Sequence, residues 1–553
     1  MHLPSSPSIE YLSYTLLYTD RQVRSIPLVI ITLPLLIVSS ITLLLLFNYF
    51  RDAYGYNDST RIPGPLMARL SDLWLYRAAT SGRRSILVHE LHKRYGPFVR
   101  IAPNHISISD PDAIREVYAY SGTLKSDFYD AFRSTHGTIF STRDKADHGR
   151  RRKMIAPVFS QTSIVDFQPY LQTIIASMLQ KWDSLCDKAP QKSEEIVQEV
   201  YKKDGRAWLN CADWYNFLTF DIIGDLAFGS PFGMIEAGCD RAPYIDVNDS
   251  TRKVQYLPAI KILDERELWA STLGVVPPIL RGLFKKTPSF SVGNEAAKKL
   301  YGMSNAAVTK RIENPNDRKD VLGGLLRGRD VNGKSMDKWE LTAESITQII
   351  GGSDTTSIII CAITYHLAMN PTILRKLQAE LDEALGLEFG KDDDAPLEES
   401  VVPYDLIKSL PYLDAVVNEG LRLQSVVAVG LPRVVQEGGL VVRGRFFKPG
   451  SILSVPIYSV HRDETVWGAD VDGFRPERWF EGNTEAMQKA FIPFSWGPRA
   501  CIAKNLAKME LLQVAATIFR RYDIAPLHEN MDFKIREGFV RKMSSCFIGI
   551  RRR

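Results

Sequence analysis

From Ile26 to Phe50 the chain reads IPLVIITLPLLIVSSITLLLLFNYF, 25 residues without one charged side chain. Coiled at 1.5 Å per residue, such a run covers roughly 37 Å, enough to cross about 30 Å of hydrocarbon with some tilt. A cleaved signal peptide would carry a shorter apolar core, begin within the first few residues and end in a small-residue cleavage site. None of these holds, so a retained single-pass anchor is expected. Pro34 falls inside the run, where a membrane helix tolerates it better than a helix in water does. Arg21 and Arg24 precede the run, and Arg51, Arg61 and Arg69 follow it, a bias that places the C-terminal side in the cytosol. No second run of that length follows. The chain divides into a short N-terminal segment (1–25), an anchor (26–50), a linker (51–65) ending in the stiff Pro63-Gly64-Pro65 turn, and a body (66–553).

At roughly 150 residues per domain, a chain of 553 would make three or four domains. The body shows no internal repeat and no low-complexity linker that would divide it. Helical patterns dominate. The strand-like stretches are 98–110 and 438–460, the second read as a hairpin around Lys448-Pro449-Gly450. KDDDAPLEESVVP (391–403) reads as a surface loop and KSEEIVQEVYKKDGR (192–206) as a solvated insertion. One large, mainly α unit with a smaller β region is expected. Lys+Arg number 69 against Asp+Glu 64, a net +5 too small to argue for nucleic acid as the partner. Six cysteines (Cys186, Cys211, Cys239, Cys361, Cys501, Cys546) lie far apart in sequence, which opposes a zinc site or a disulfide framework and fits a reducing compartment.

Two motifs compete for the chemistry. Gly328-Arg-Asp-Val-Asn-Gly333-Lys334-Ser335 matches a phosphate-binding loop, and a membrane-tethered nucleotide hydrolase would rest on it. Such a loop must follow a buried strand and open into a helix. Here charged residues flank it on both sides and the next helix starts nearer Leu341, so a polar turn is expected. The second motif is Phe494-Ser-Trp-Gly497-Pro-Arg499-Ala-Cys501, followed by a helical pattern over 503–521. Gly497 and Pro498 shape a tight turn, and the helix start just beyond Cys501 favours a thiolate. A thiolate so held suits a haem iron. The other five cysteines read as small buried hydrophobes.

These residues resemble the cysteine-ligand loop of the haem-thiolate monooxygenases, the cytochrome P450 superfamily, and the resemblance spans roughly residues 60–550. It implies a mainly α cytochrome P450 fold, a large helical domain with a smaller β-rich region, preceded here by one transmembrane helix. It implies a b-type haem (heme b), with Cys501 as axial iron ligand and Phe494 beside it. Glu419-Gly-Leu-Arg422 looks like the family's E-x-x-R helix, whose Glu and Arg share a face. With Arg478, in Pro476-Glu477-Arg478-Trp479, they brace the haem-side core. LTAESITQIIGGSDTTSIIICAITYHLAMNP (341–371) reads as one long apolar helix ending at Asn370-Pro371. Its Gly351-Gly352 is either a packing notch or room for dioxygen. The resemblance assigns proton delivery to Asp354 and Thr355, and Thr355 can also bond the carbonyl of residue 351. Arg499, Arg152 and Arg433 match positions that meet haem propionates. His148 stands where the family usually has tryptophan, and Ala503 where it favours glycine.

The implied activity is insertion of one atom of dioxygen into a small, mostly apolar substrate, using NADPH-derived electrons. A separate flavoprotein reductase, with cytochrome b5 as a further donor, is the expected partner. Arg150 to Lys153, Lys504 and Lys508 would form a basic docking face for it. The expected location is the endoplasmic reticulum membrane with a cytosolic catalytic domain. KSDFYDAF (125–132), 209–236 and 443–480 look similar to fungal benzoate para-hydroxylases, which implies a small aromatic acid as substrate, with Tyr129 and Arg133 as candidate partners for its carboxylate. A P450-fold isomerase or dehydratase working without external electrons is the alternative, and the intact Asp354-Thr355 pair argues against it.

Overall fold

The computed structural model describes residues 28–53, 62–119, 121–133, 136–188, 201–245, 253–386, 388–390, 396–529, 531 and 534–553. The helices that matter for the site are α1 (Leu28–Ala53), α2 (Lys145–Ile155), α3 (Cys211–Phe228), α4 (Ala259–Gly274), α5 (Lys338–Met369), α6 (Pro411–Gln424) and α7 (Lys504–Arg521). The strands of the two larger sheets and of one hairpin are β1 (Phe98–Ala102), β2 (His105–Ile108), β3 (Thr123–Lys125), β4 (Tyr201–Lys203), β5 (Arg206–Asn210), β6 (Arg433–Val435), β7 (Leu440–Val442), β8 (Arg445–Phe447), β9 (Ile452–Ser454), β10 (Tyr522–Pro526) and β11 (Phe547–Arg552).

α5 is the axis of the helical part. It is long and apolar enough to cross a membrane, yet it is buried within the protein against α3, α6 and α7. A helix apolar on every face needs such a wrapping. Asp337 starts it, three residues before the expected Leu341–Pro371 helix, by accepting the Glu340 amide at 2.8 Å. Glycines set how near its neighbours come. A Cβ on Gly420 of α6 would lie 2.4 Å from Ile363. Gly328–Ser335 is an exposed turn between helix Val321–Arg327 and α5, closed by Asp330 accepting the amides of Asn332 and Lys334. No strand precedes it, which removes the phosphate-loop reading.

α1 contrasts with α5. Leu33, Leu35, Leu36, Val38, Leu43, Leu44 and Phe47 are all exposed along it, and Pro34 does not end it. Residues 1–27 and 54–61, parts of the expected N-terminal segment, anchor and linker, lie outside the described residues. The Pro63-Gly64-Pro65 turn is pinned to β1: Arg100 donates its amide to the Pro63 carbonyl at 2.8 Å, and a Cβ on Gly64 would meet the Arg100 carbonyl oxygen at 2.3 Å.

The β region is one mixed sheet in the order β1-β2-β9-β6-β3, with β2 and β9 parallel. The hairpin expected around Lys448-Pro449-Gly450 turns elsewhere. β7 and β8 pair through Arg443-Gly444, both at positive φ (50° and 75°), the twist that two-residue hairpins prefer. Lys448-Pro449-Gly450 instead carries the chain on to β9. A second sheet, β10-β11-β5-β4, is antiparallel. Of the expected solvated insertion 192–206, residues 192–200 lie outside the described residues and 201–206 belong to a hairpin, β4 with β5, turning at the exposed Asp204-Gly205. Of 391–403, the described part begins at Pro396 and includes a short 3-10 turn, Leu397–Ser400.

The region leading to Cys501 is organised by one buried carboxylate. Glu419 accepts from Arg422 at 2.8 and 2.9 Å, from Arg478 at 2.8 Å, from the Arg475 amide at 3.0 Å and from the Trp479 indole at 3.2 Å. Glu419, Arg422 and Arg478 are all at most 2% exposed. Their paired charges hold the Glu419 carboxyl below its usual range despite burial. Arg422 also donates to the carbonyls of His461, Val471 and Gly473, so α6 pins the irregular segment 461–478. His461 continues the chain of contacts. Its Nδ1 faces the Arg422 carbonyl and its Nε2 accepts the Ile492 amide at 3.1 Å, two residues before Phe494. Burial and the Arg422 charge push this imidazole down to about 3, which keeps it neutral and able to accept. Glu419→Ala leaves two guanidiniums buried without their partner. It is expected to lower stability by about 3–5 kcal/mol, read as a drop in the urea midpoint at unchanged slope.

Candidate active site

Cys501 lies at the end of a loop whose shape the backbone dictates. Ser495 (φ 62°) and Gly497 (φ 76°) occupy the left-handed region. A Cβ on Gly497 would come 2.2 Å from the Tyr118 carbonyl oxygen, so only glycine fits there. The Cys501 amide donates to the Phe494 carbonyl at 2.9 Å and the Ala500 amide to that of Gly497 at 3.0 Å, closing the loop over Phe494–Cys501. Ala503 caps α7, so the thiol stands at the helix entry as the sequence indicated. Burial nonetheless pushes the Cys501 thiol up, against the Ala503 amide and the charges of Arg152 and Lys504. Cys501 is exposed, but into an internal cavity rather than to bulk solvent.

That cavity holds about 1500 Å³ of empty space, its mouth included, between the cysteine loop and α5. Its walls include Ile223, Ile359, Leu421, Val426, Phe494 and Leu506. Across from the thiol, α5 presents Gly351, Gly352 and Thr355. The two glycines differ. A Cβ on Gly351 would meet nothing within 4 Å, whereas one on Gly352 would meet Ile223 of α3 at 2.8 Å. Gly351 is cavity space and Gly352 is the packing notch. Thr355 donates its hydroxyl to the Gly351 carbonyl at 2.8 Å, the expected loosening of the helix.

Asp354 does not line the cavity. It is fully buried on another face of α5, where its Oδ1 accepts from Lys542 at 3.0 Å. Lys542 also bonds Asp264 of α4 at 2.9 Å, beside a surface cleft lined by Asp264, Glu267 and Asp213. Burial raises the Asp354 carboxyl and Lys542 opposes that rise.

Cationic side chains gather at one side of the cavity. Arg152, Arg499, His148 and Lys125 line it, and the three cations act together on His148. With burial they push its imidazole down to about 3. Arg152 donates to the Ala500 carbonyl at 3.0 Å and Arg499 to that of Thr142 at 2.8 Å, which ties α2 and the segment before it to the cysteine loop. Arg433 lies behind this wall rather than on it. It is buried, with its guanidinium on the Tyr129 hydroxyl at 2.7 Å and over the Tyr118 ring. Of the candidate carboxylate partners, Tyr129 is taken up by Arg433 and Arg133 is exposed.

Among the described residues, Lys125, Arg152, Arg433 and Arg499 form no ion pair with a carboxylate. Four basic side chains gathered without an ion-paired carboxylate, Lys125 and Arg433 buried and Arg152 and Arg499 half-buried, are costly unless a bound anion answers them. An apolar-walled slot with a thiol on one side and such cations on its edge fits a haem, whose ring is apolar and whose propionates are anionic. The proposed basic docking face is less charged than the sequence suggested. Asp147, Glu340 and Glu344 neutralise Arg150 and Arg151, and Asp414 pairs with Lys508 at 2.7 Å.

Sequence reasoning missed Lys125, Gln348, Phe539 and Glu510 on the cavity wall. The signal for Glu510 was its place in the second turn of α7, on the face that meets α5. It accepts from Thr356 at 3.1 Å, and burial pushes its carboxyl up to about 8.

The cytochrome P450 family model matches residues 63–548. The chain is 40% identical over 502 residues to "Benzoate 4-monooxygenase bphA" of Aspergillus niger, covering 89% of this chain and 92% of that protein. It is 28% identical to "Cytochrome P450 monooxygenase gsfF" of Penicillium aethiopicum, over 93% of this chain and 98% of the relative. "Cytochrome P450 monooxygenase cicH" of Emericella nidulans is also 28% identical, over 89% and 94%.

Glu510 sets a pH dependence. The unfolded chain releases this proton near the ordinary 4.5, while the folded protein keeps it to about 8. A raised carboxyl stabilises the fold less and less as pH climbs through that window, and the loss is complete above it. Glu510→Gln is expected to flatten this part of the stability–pH profile, measured by urea unfolding at a series of pH values.

Proposed function

The chain belongs to the cytochrome P450 family and is a haem monooxygenase, and from that premise we propose that it hydroxylates benzoate or a closely related aromatic acid para to the carboxylate. Enzymes of this kind need a redox partner and a small-molecule substrate; NADPH through a flavoprotein reductase is the supply we infer. The observation that carries the substrate reading is the surplus of basic side chains over carboxylates at the cavity. Two propionates answer two of the four unpaired cations, Lys125, Arg152, Arg433 and Arg499. Arg152 and Arg499, joined to the cysteine loop and α2, are placed to hold them. Of the two left, Arg433 is held on the Tyr129 hydroxyl off the cavity lining, and Lys125 on the lining is available for an anionic substrate. Its amine is buried, reaches the Phe140 carbonyl and lies 4.2 and 4.5 Å from the Tyr129 and Phe140 ring centres. Burial and the charges of Arg433 and Arg499 push it well below its ordinary range, so a carboxylate beside it would restore its proton. The apolar walls suit an aromatic ring, and the 40% identical relative is named for this reaction.

When bound, the haem supplies the activation of dioxygen, with Cys501 as its thiolate ligand. The residues of α5 divide the remaining work. Gly351 keeps space open at the cavity wall. We infer that Thr355 presents its hydroxyl proton there, and that Asp354 resupplies it from the far face of the helix, where Lys542 and Asp264 reach the surface cleft. The exposed apolar surface of α1 supports membrane anchoring, with the catalytic domain on the cytosolic side of the endoplasmic reticulum.

Purified haem-loaded enzyme is expected to give a saturable spectral shift with benzoate and none with methyl benzoate. Lys125→Met should weaken benzoate binding on the order of tenfold or more, at unchanged haem content, as loss of a charge-assisted contact would. With a reductase and NADPH, Thr355→Ala should cut product formation on the order of 100-fold. Equal response to neutral aromatics, or a Lys125→Met enzyme that binds benzoate like the wild type, would sink the substrate assignment. Removal of residues 1–53 should shift the protein from the membrane pellet to the soluble fraction; a pellet unchanged by that deletion counts against the anchor.

A further inference from the structure

Folding brings together three of the cysteines that looked scattered. Cys211 opens α3, Cys361 sits in the C-terminal third of α5, and Cys546 immediately precedes β11. Their sulfurs all lie within 4.8 Å of one another, with Cys211 and Cys361 4.0 Å apart. Each residue is at most 2% exposed. Cys186 and Cys239 stand outside the group, half-buried and exposed respectively, so the reading of five interchangeable small hydrophobes fails.

The backbone around the three is fixed. The Cys211 amide donates to the Cys546 carbonyl at 2.8 Å, and the Cys546 amide to Asn210 Oδ1 at 2.7 Å. Asn210 in turn donates to Asp213 at 2.8 Å. Such contacts to flanking backbone hold the sulfurs in one geometry, as outer partners do at metal sites. No His or carboxylate among the described residues joins the group as a fourth ligand. Zinc in structural sites is almost always four-coordinate, so a closed three-sulfur set disfavours it. Soft thiolate ligands select copper(I) among the remaining common ions. A trigonal plane with bonds of about 2.3 Å sets sulfurs roughly 4.0 Å apart, against roughly 3.8 Å in a tetrahedron.

We propose that Cys211, Cys361 and Cys546 form a buried trigonal site for a soft monovalent cation, copper(I), separate from the haem. Copper bound to two thiolates and one thiol releases two protons to solvent, transfers no electron and leaves a net charge of −1. The site lies at the first residue of the 18-residue helix α3, whose N-terminal partial charge favours an anion. The bound ion would join α3, α5 and the last strand, with Cys361 about 9 Å along α5 from Thr355.

The test uses the haem-loaded full chain, so that Cys501 is occupied. It is incubated anaerobically with copper(I) held at a set free concentration by bathocuproine disulfonate, then desalted. One copper per haem is expected, with X-ray absorption showing three sulfurs. Cys361→Ala and Cys546→Ala should lose that copper while keeping the haem spectrum, and Cys186→Ser and Cys239→Ser should keep it. Should the cluster variants fail to fold, the sulfur count on the wild type decides alone. No retained copper, two-sulfur coordination, retention unchanged in the cluster variants, or uptake of zinc in preference to copper each overturns the proposal.

Discussion

One carboxylate between two guanidiniums carries the haem-side half of this molecule. Glu419, Arg422 and Arg478 are buried together, and each would be intolerable there alone. Their mutual satisfaction lets an irregular stretch of chain, with little regular secondary structure of its own, take one path. On that path His461 accepts a hydrogen bond from the Ile492 amide, and the chain then enters the cysteine loop already aimed. The loop's own tight turn shapes the thiol's surroundings, and this buried charge cluster fixes where that loop begins.

The same physics runs in the opposite sense around the cavity. On the Glu419 side every buried charge has a partner of opposite sign; around Lys125, Arg152, Arg433 and Arg499 the partners are carbonyls and a phenol. A protein can hold such a deficit only where something anionic is meant to be taken in. Contrast between a compensated and an uncompensated cluster thus distinguishes scaffold from site without reference to either motif.

Much of this was legible in the sequence because it depends on short-range chemistry. Gly497 and Cys501 are fixed by a tight turn, Thr355 by its reach to the Gly351 carbonyl, and Glu419 and Arg422 by helical spacing. Long-range placement was not legible. Nothing local says that Asp354 faces Lys542 rather than the cavity, that Arg433 lies behind the wall, or that cysteines at 211, 361 and 546 meet. The hairpin at Arg443-Gly444 was misplaced for another reason. Lys448-Pro449-Gly450 carries the stronger turn composition, but strand pairing, which is tertiary, decided between them.

α5 places Thr355 and Asp354 side by side in sequence and on different faces in space. The helix is therefore a partition one side chain thick, with the cavity on one side and a route to the surface on the other. Communication across it needs no pore and no tunnel, only two neighbouring residues on a common backbone. A partition of that kind tolerates changes of residue type along much of its length, but not a change of count. One residue inserted between Gly351 and Asp354 would turn every later side chain by about 100°, bringing Asp354 to the direction now held by Thr355 and turning Thr355 off it. The register of α5 therefore constrains the site more tightly than most of its side chains do.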